Sequence, residues 1–443
     1  MVTTTGQGER VQPVLPAPSF NRAGDFVFVS SIYPIDASGM IAHSTSFSPY
    51  VGESEMAAQT RSVLSTLKAV LESAGSTVER TLKVEAYLVD PSDFFEFKLV
   101  WKEFFPESPP ARTTAGVGDE HVVPGCLLNL HAIALAGDSV YERETIHVEG
   151  IPDPMEAEWV PHAIKAGPFV FPSIVPATDF ETGIPVGKLD VYPYYGSDAE
   201  MQAHYILTNL GKVLSAAGSG LDQAVKCQFY ETDLNTFHDV DAVWAQYMGP
   251  IPPTRSSMAM RSLMVPGAVF VPNTVFIAPD ERHRKEETRA GIRWPPVDVR
   301  KVNFTPGIAV ADWLFTAGKT AAYAYKGVED RNTRPEDIYV LAPPGVPNYF
   351  SDIEIQTEYT MELLREQIEA NGCTLEDIVE ARIFLVKPRR DYRGFERAWT
   401  KVFRSTKRQP SMSLIPSSQA NGGTGILSSP GLVEIDLTLR HPE

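Results

Sequence analysis

The sequence predicts an α+β chain made of three tandem copies of one unit, each a sheet carrying two helices on one face. Three observations carry that prediction. A helical segment recurs with the same ending, a tryptophan-bearing segment follows each copy at near-constant spacing, and strand-like runs flank both in the same order.

Each unit opens on a strand or hairpin: "GDFVFVSSIYP" from Gly24, "GPFVFPSIVP" from Gly167 and "DWLFTAGKTA" from Asp312. The helix follows as "QTRSVLSTLKAVLESAG" (Gln59 to Gly75), "QAHYILTNLGKVLSAAG" (Gln202 to Gly218) and "QTEYTMELLREQIEANG" (Gln356 to Gly372). Apolar residues fall at helical spacing in each, and the glycine stands where a helix C-terminus calls for a positive φ.

Alternating apolar runs from about Thr81, Ala224 and Ile378 read as strands. A second helix then places Trp101, Trp244 and Trp399 at 26, 26 and 27 residues beyond the glycine. Their shared place on an amphipathic face makes them core residues rather than an aromatic cage. Two more strands close each unit, the last being "CLLNLHAIAL", "VPNTVFIA" and "LVEIDLTL".

The units span roughly 10–145, 152–280 and 295–443, joined by charged, proline-rich segments that read as surface linkers. The third unit carries an insertion, Tyr325 to Phe350, which is a surface excursion or a lid. A one-layer sheet with helices on one face needs a cover for the other. Three units in one chain supply it by packing their sheets around a pseudo-threefold axis, an intramolecular pseudo-trimer.

Composition excludes several classes. With 39 basic and 56 acidic residues the net charge is −17, and no basic stripe tracks phosphates, so nucleic-acid binding is disfavoured. No apolar run approaches the roughly 18 residues of a membrane span, and the first residues lack a signal-peptide core, so a cytoplasmic protein is expected. Three cysteines without CxxC spacing give no disulfide framework or zinc knuckle and read as small buried residues. The histidines do not cluster at ligand spacing, and GxGxxG, P-loop, GxSxG and HExxH motifs are absent from the sequence, so neither metal nor organic cofactor is expected.

"PARTTAGVG" followed by "VPGCLLNLHAIAL", preceded by "LKAVLESAG" and "VDPSDFFEF", resembles the YjgF/RidA family, once labelled endoribonuclease L-PSP. The resemblance is strong in the first copy, good in the second around "PPTRSSMAM" and weak in the third. It implies a chorismate-mutase-like fold, normally a homotrimer with sites in clefts between subunits, so one chain here resembles a whole trimer. A chain that closes its own threefold is expected as a monomer or homodimer.

The resemblance further implies that the arginine of "PAR" and "PTR", Arg112 and Arg255, grips a substrate carboxylate, for which the planar guanidinium fork is suited. The alternative is an arginine that pairs with a surface carboxylate. In the third copy "RQPSMSL" aligns Ser411 at that place. The family's second element, a glutamate on the last strand that positions or activates water, aligns with His131, Val275 and Asp436, so no single copy keeps both arginine and acid. His131 is then either a replacement base, its imidazole suited to proton exchange with water at neutral pH, or a hydrogen-bonded core histidine.

Thr114 and Ser257 share their arginine's strand face and are ligand-orienting or packed residues. Ser30, Ser31, Ser173 and Gly318 stand where the family supplies backbone contacts to the carboxylate, with Lys319 beside the last as a second anion contact or a solvated lysine. The resulting expectation is a hydrolytic deaminase of a carboxylate-bearing imine or enamine, with an aminomuconate-like catabolic intermediate as a candidate substrate. Arg112 is its anchor, His131 its proton-handling group, Arg255 with Ser257 a second site and Asp436 part of a third. A hydrolase or C–O lyase on a carboxylated ring, and a non-catalytic small-acid binder, are the alternatives.

Overall fold

The computed structural model describes residues 5–7, 14–36, 38–44, 51–118, 121–184, 196–289, 291, 303–322, 351–417 and 431–441. In the first unit the hairpin β1 (Phe20–Ala23) and β2 (Phe26–Ile32) leads to α1 (Glu55–Ser73), β3 (Thr81–Leu88), α2 (Phe94–Phe104), β4 (Ala111–Gly116) and β5 (Leu128–Leu135). The second repeats this as β6 (Ala163–Ala166), β7 (Phe169–Pro172), α3 (Asp198–Ala216), β8 (Ala224–Glu231), α4 (Phe237–Tyr247), β9 (Thr254–Ala259) and β10 (Phe270–Ile277). The third does so as β11 (Gly307–Val310), β12 (Trp313–Thr316), α5 (Asp352–Ala370), β13 (Ile378–Leu385), α6 (Pro388–Val402), β14 (Ser411–Pro416) and β15 (Val433–Arg440).

All three sheets share one order, β1-β2-β5-β3-β4, β6-β7-β10-β8-β9 and β11-β12-β15-β13-β14. The middle strand pairs in parallel with the strand after the second helix and antiparallel with the last strand. Gly75, Gly218 and Gly372 end the first helix of each unit at φ +72°, +73° and +78°. A side chain there would be strained. Ser54 caps α1, and Ser197 with Glu200 forms a reciprocal capping box on α3.

The segments expected as surface linkers do more than connect. Arg143–Ile146 pairs with β6 and Lys285–Glu287 with β11, as Thr5–Gln7 does with β1. Each thereby covers the outer edge of a hairpin that would otherwise expose unpaired backbone. The insertion at 325–350 lies outside the described residues.

Three apolar cores lie between a sheet and its helices, with Trp101, Trp244 and Trp399 fully buried in them. A fourth joins the opposite faces of the sheets, where Phe26, Phe169 and Trp313 occupy equivalent places at the start of β2, β7 and β12. Their ring centroids form a triangle of 5.5, 5.6 and 5.7 Å, mostly edge to face. The pseudo-threefold packing is therefore a continuous core, and the three cysteines are buried and unpaired. No helix among the described residues is long and apolar enough to cross a membrane.

Candidate active site between the second and third units

Strand registers decide which side chains meet. Val84, Cys227 and Ala381 pair with Arg112, Arg255 and Met412, so the third unit places Met412 at the arginine position and Ser411 one residue before it. Glu85, Gln228 and Arg382 stand opposite His131, Asn273 and Asp436. The expected match of Val275 to His131 is thus corrected to Asn273, and Val275 lies opposite Lys226.

Each strand of the β4 type runs along the hairpin of the next unit. Ile174 N donates to Arg112 O and Gly318 N to Arg255 O, both at 3.0 Å, while Met412 N and Leu414 N donate to Ser30 and Ser31 Oγ at 2.9 and 3.0 Å. The three clefts therefore mix residues from neighbouring units. What faces the β4-type strand comes from the next unit's hairpin and its last strand.

In the first cleft Arg112 is almost fully buried, its guanidinium 4.9 Å from the rings of Phe94 and Trp101. Nε donates to Thr114 Oγ1 at 3.1 Å and Nη2 to Glu158 O at 3.1 Å, with the Glu158 carboxylate 3.7 Å away. Nη1 is buried without a hydrogen-bond partner. Desolvation pulls the pKa of Arg112 down to about 10. The neighbouring cavity, lined by Thr114, Glu158, Ile174, Pro176 and Val271 among others, leaves about 10 Å³ for the centres of water-sized molecules. That is room for about one water, and apart from Thr114 and Glu158 the lining is apolar.

In the third cleft Met412 and Leu414 replace the arginine and its neighbouring hydroxyl, and Asn129 Nδ2 donates to Leu414 O at 3.0 Å. Neither a guanidinium of the β4 type nor an acid on β5 is present there.

The second cleft differs. The guanidinium of Arg255 lies 4.8, 5.0 and 5.3 Å from the rings of Phe229, Phe237 and Phe304, and Nη1 donates to Asp241 Oδ1 at 2.5 Å. Asn303 Nδ2 holds the other Asp241 oxygen at 2.8 Å. Across the cleft, β15 contributes Glu434, at the register position of Asn129 and Val271. Burial, then Asp436, pushes its carboxyl up to about 8, against the Ser257 backbone N–H, Arg255 and Ser256, which pull it down.

Gly318 makes room for that carboxyl. A Cβ there would stand 2.0 Å from Glu434 Oε1 and 2.5 Å from Ser256 Oγ. The equivalent hairpin positions carry Ser31 and Ile174, in the two clefts whose last strand has no acid. The backbone thus accepts a side chain at this place, and the glycine is required by Glu434. Gly318→Ala is expected to displace the carboxyl and lower any activity of this cleft about tenfold, about 1.4 kcal/mol, with the melting temperature little changed. Parallel kinetic and thermal-unfolding measurements check this.

The expected pairing of Arg112 with His131 is corrected. Arg112 projects to the helix face of its sheet, whereas His131 projects to the axial face, stacked on Tyr87 at 5.9 Å and 3.2 Å from Glu85 without hydrogen-bond alignment. Asp436 also sits on the axis, 2.6 Å from Lys226 and accepting from Ser256 Oγ at 2.8 Å. Arg382 links the units there, bound to both Glu85 oxygens at 2.6 and 3.2 Å and to Gln228 Oε1 at 2.9 Å. An adjoining axial cavity, lined by Lys226, Glu380, Arg382 and six aromatic rings, leaves about 30 Å³ for water-sized centres, room for roughly two waters. His131 and Asp436 therefore belong to a buried network of ionisable side chains on the axis, and neither lines that cavity.

Of the expected site residues, the structure brings Arg255, Ser257 and Gly318 together, puts Arg112 and Thr114 in the first cleft, and puts Ser31 in the third. Lys319 is buried rather than solvated. Sequence reading missed Glu434. The signal lies in "LVEIDLTL", where two acids at i and i+2 share one strand face, and alignment with "HAIAL" selects Asp436 rather than its neighbour. Among the described residues no group of three or more histidine, cysteine or acidic side chains is placed to hold a metal.

The sequence model of the family described as "Endoribonuclease L-PSP" matches the chain three times, over residues 20–136, 154–270 and 347–437. A RutC family protein of Pyrococcus horikoshii is 34% identical over 126 residues, 28% of this chain and 89% of its own length. The 3-aminoacrylate deaminase RutC of Acinetobacter baylyi is 34% identical over 122 residues, 28% of this chain and 88% of its own. Among solved structures, a chorismatase aligns over 82% of this chain and 93% of its own, with 14% identity and a TM-score of 0.44.

Proposed function

The chain belongs to the Endoribonuclease L-PSP family, with three copies of the family unit in tandem, and from that premise we propose that it is a hydrolytic deaminase of a small carboxylate-bearing enamine or imine, working in the cleft between the second and third units. One observation carries this reading. Among the described residues, this is the cleft that sets a guanidinium, Arg255, opposite a buried carboxyl, Glu434, with Gly318 clearing the space between the units. The relation to a 3-aminoacrylate deaminase supports the reaction class, and the net charge of −17 opposes a polyphosphate backbone as substrate.

In the proposed mechanism Arg255, held in place by Asp241 and aromatic rings, binds the carboxylate. Glu434 is largely protonated at pH 7 because its folded pKa lies near 8. It gives its proton to the enamine carbon, forming an iminium. Water then adds to the C=N carbon and returns a proton to the Glu434 carboxylate. The carbinolamine shifts its hydroxyl proton to nitrogen and expels ammonia, leaving a carbonyl. For an imine, protonation occurs on nitrogen and the later steps are the same.

A general acid of this kind contributes about 10²-fold at the lower end of its range. Glu434→Gln is expected to lower catalysed ammonia release about that much on 2-imino acids generated in situ. Wild-type activity is expected to fall above about pH 8, as Glu434 loses its proton, and the variant to lose that limb. The reading fails if wild type releases ammonia no faster than the uncatalysed rate across these substrates and enamine acids.

Burial of Glu434 also makes a stability prediction. A carboxyl raised from 4.5 to about 8 binds a proton in the folded state that the unfolded chain has released. Its stabilising contribution is complete below about pH 4.5 and is lost as pH rises through 8, at up to ~1.4 kcal/mol per pH unit. Urea unfolding between pH 5 and 7 is expected to show a shallower fall for Glu434→Gln than for wild type.

A further inference from the structure

Glu231 is the last residue of β8, opposite Phe270 and Ala259. At the same place β3 and β13 end on Leu88 and Leu385, both fully buried in apolar surroundings. The second unit alone of the three thus exchanges a core leucine for a carboxylic acid, in the unit that carries Arg255.

Glu231 is fully buried, and neither carboxyl oxygen has a hydrogen-bond partner of ordinary geometry, the nearby Thr236 hydroxyl donating instead to Asp233 O at 2.7 Å. It shares a strand face with Phe229, whose ring lies against the Arg255 guanidinium. Desolvation pushes its carboxyl up to about 8, opposed first by Arg255 and then by Thr236, and reinforced by Asp241 and Asp233. A fold that accepts leucine twice at this place has no structural need of an acid. Buried polar groups are ordinarily satisfied, and departures from that rule concentrate at sites that meet a ligand.

We infer that Glu231 is a specificity-determining residue of the Arg255 cleft, its carboxyl oxygens accepting the N–H of an amino group on the bound acid, so that this cleft selects small acids carrying an amine as well as a carboxylate. The inference rests on the proposed function for the placement of the carboxylate at Arg255. It adds the second recognition element, one that Arg112 in the first cleft does not have, since Leu88 stands there.

Alanine and propanoate differ by one amino group and serve as unreactive probes in calorimetric or NMR titrations of the full chain. Wild type is expected to bind alanine about tenfold tighter than propanoate, the order of one hydrogen bond to a charged group. Glu231→Leu is expected to remove the preference, leave propanoate affinity within about twofold and raise the melting temperature, since it restores the residue of the other two units. Glu231→Gln, which keeps an acceptor oxygen, is expected to retain part of the preference. A Glu231→Leu variant that still prefers alanine overturns the inference, as does equal loss of both ligands with a lowered melting temperature, and so does a wild type that binds neither probe. Failure of the underlying reading is separate. It shows as propanoate binding that survives Arg255→Met, or as no ammonia release by wild type, whatever Glu231 does.

Discussion

Replacing Arg382 by methionine is expected to destabilise the chain by about 3–5 kcal/mol, the cost of breaking a buried ion pair by removing one partner. The guanidinium comes from the third unit, binds the Glu85 carboxylate of the first and the Gln228 amide of the second, and lies 3.5 Å from Glu380. Burial alone would raise the Glu85 carboxyl, and Arg382 is the foremost of the charges that hold it well below its usual range. Without Arg382, Glu85 and Glu380 would be left buried near Lys83, Lys226 and His131. Denaturant unfolding measures the loss, and Glu85→Gln in the same chain tests its origin. The double variant is expected to recover a large part of the deficit, because the penalty is an uncompensated charge rather than lost packing volume. A single-variant loss below about 1 kcal/mol would remove the axial network from the list of what holds the three units together.

The same network explains where sequence reading worked and where it stopped. The three helix-to-glycine segments and their tryptophans are local features, set by 3.6-residue periodicity and by one positive-φ position, and both are visible along the chain. Register is less visible. A slide of two residues keeps every side chain on its own face, so "VPNTVFIA" could be matched with Val275 in place of Asn273 without any violation of pattern. A one-residue slip, Ser411 for Met412, flips the face. Pro110, Pro253 and Pro410 immediately before Ala111, Thr254 and Ser411 mark the correct register.

The deeper limit is that each cleft is assembled from two copies. Looking for arginine and acid within a single copy finds none, whereas Arg255 of one unit and Glu434 of the next meet across an interface that no linear spacing encodes. Buried ionisable residues added to the difficulty. His131, Glu85, Lys226, Glu380, Arg382 and Asp436 have the residue types of a catalytic constellation, yet they face one another on the axis.

Arg255→Met is expected to lower kcat/KM for the carboxylate-bearing substrate about 10³-fold, roughly 4 kcal/mol, while Arg112→Met stays within about threefold of wild type. The two arginines look alike in sequence, each on the β4-type strand with a hydroxyl residue two positions on. Their surroundings separate them. Around Arg112 the carboxyl already present is Glu158, which faces the guanidinium from its own side of the cavity, and the opposite wall, Ile174 and Val271, supplies no proton donor. Around Arg255 the opposite wall supplies Gly318 and Glu434, a carboxyl poised to exchange a proton near neutral pH. Methionine fills much of the same volume between the aromatic rings, so a difference between the variants reports the guanidinium rather than packing. Arg255→Lys sharpens the comparison, because an ammonium restores the charge but not the planar two-point grip, and it is expected to recover no more than a small part of the loss. Comparable losses in Arg112→Met and Arg255→Met would mean that two clefts turn over, and an intact Arg255→Met would move the active site out of the second cleft.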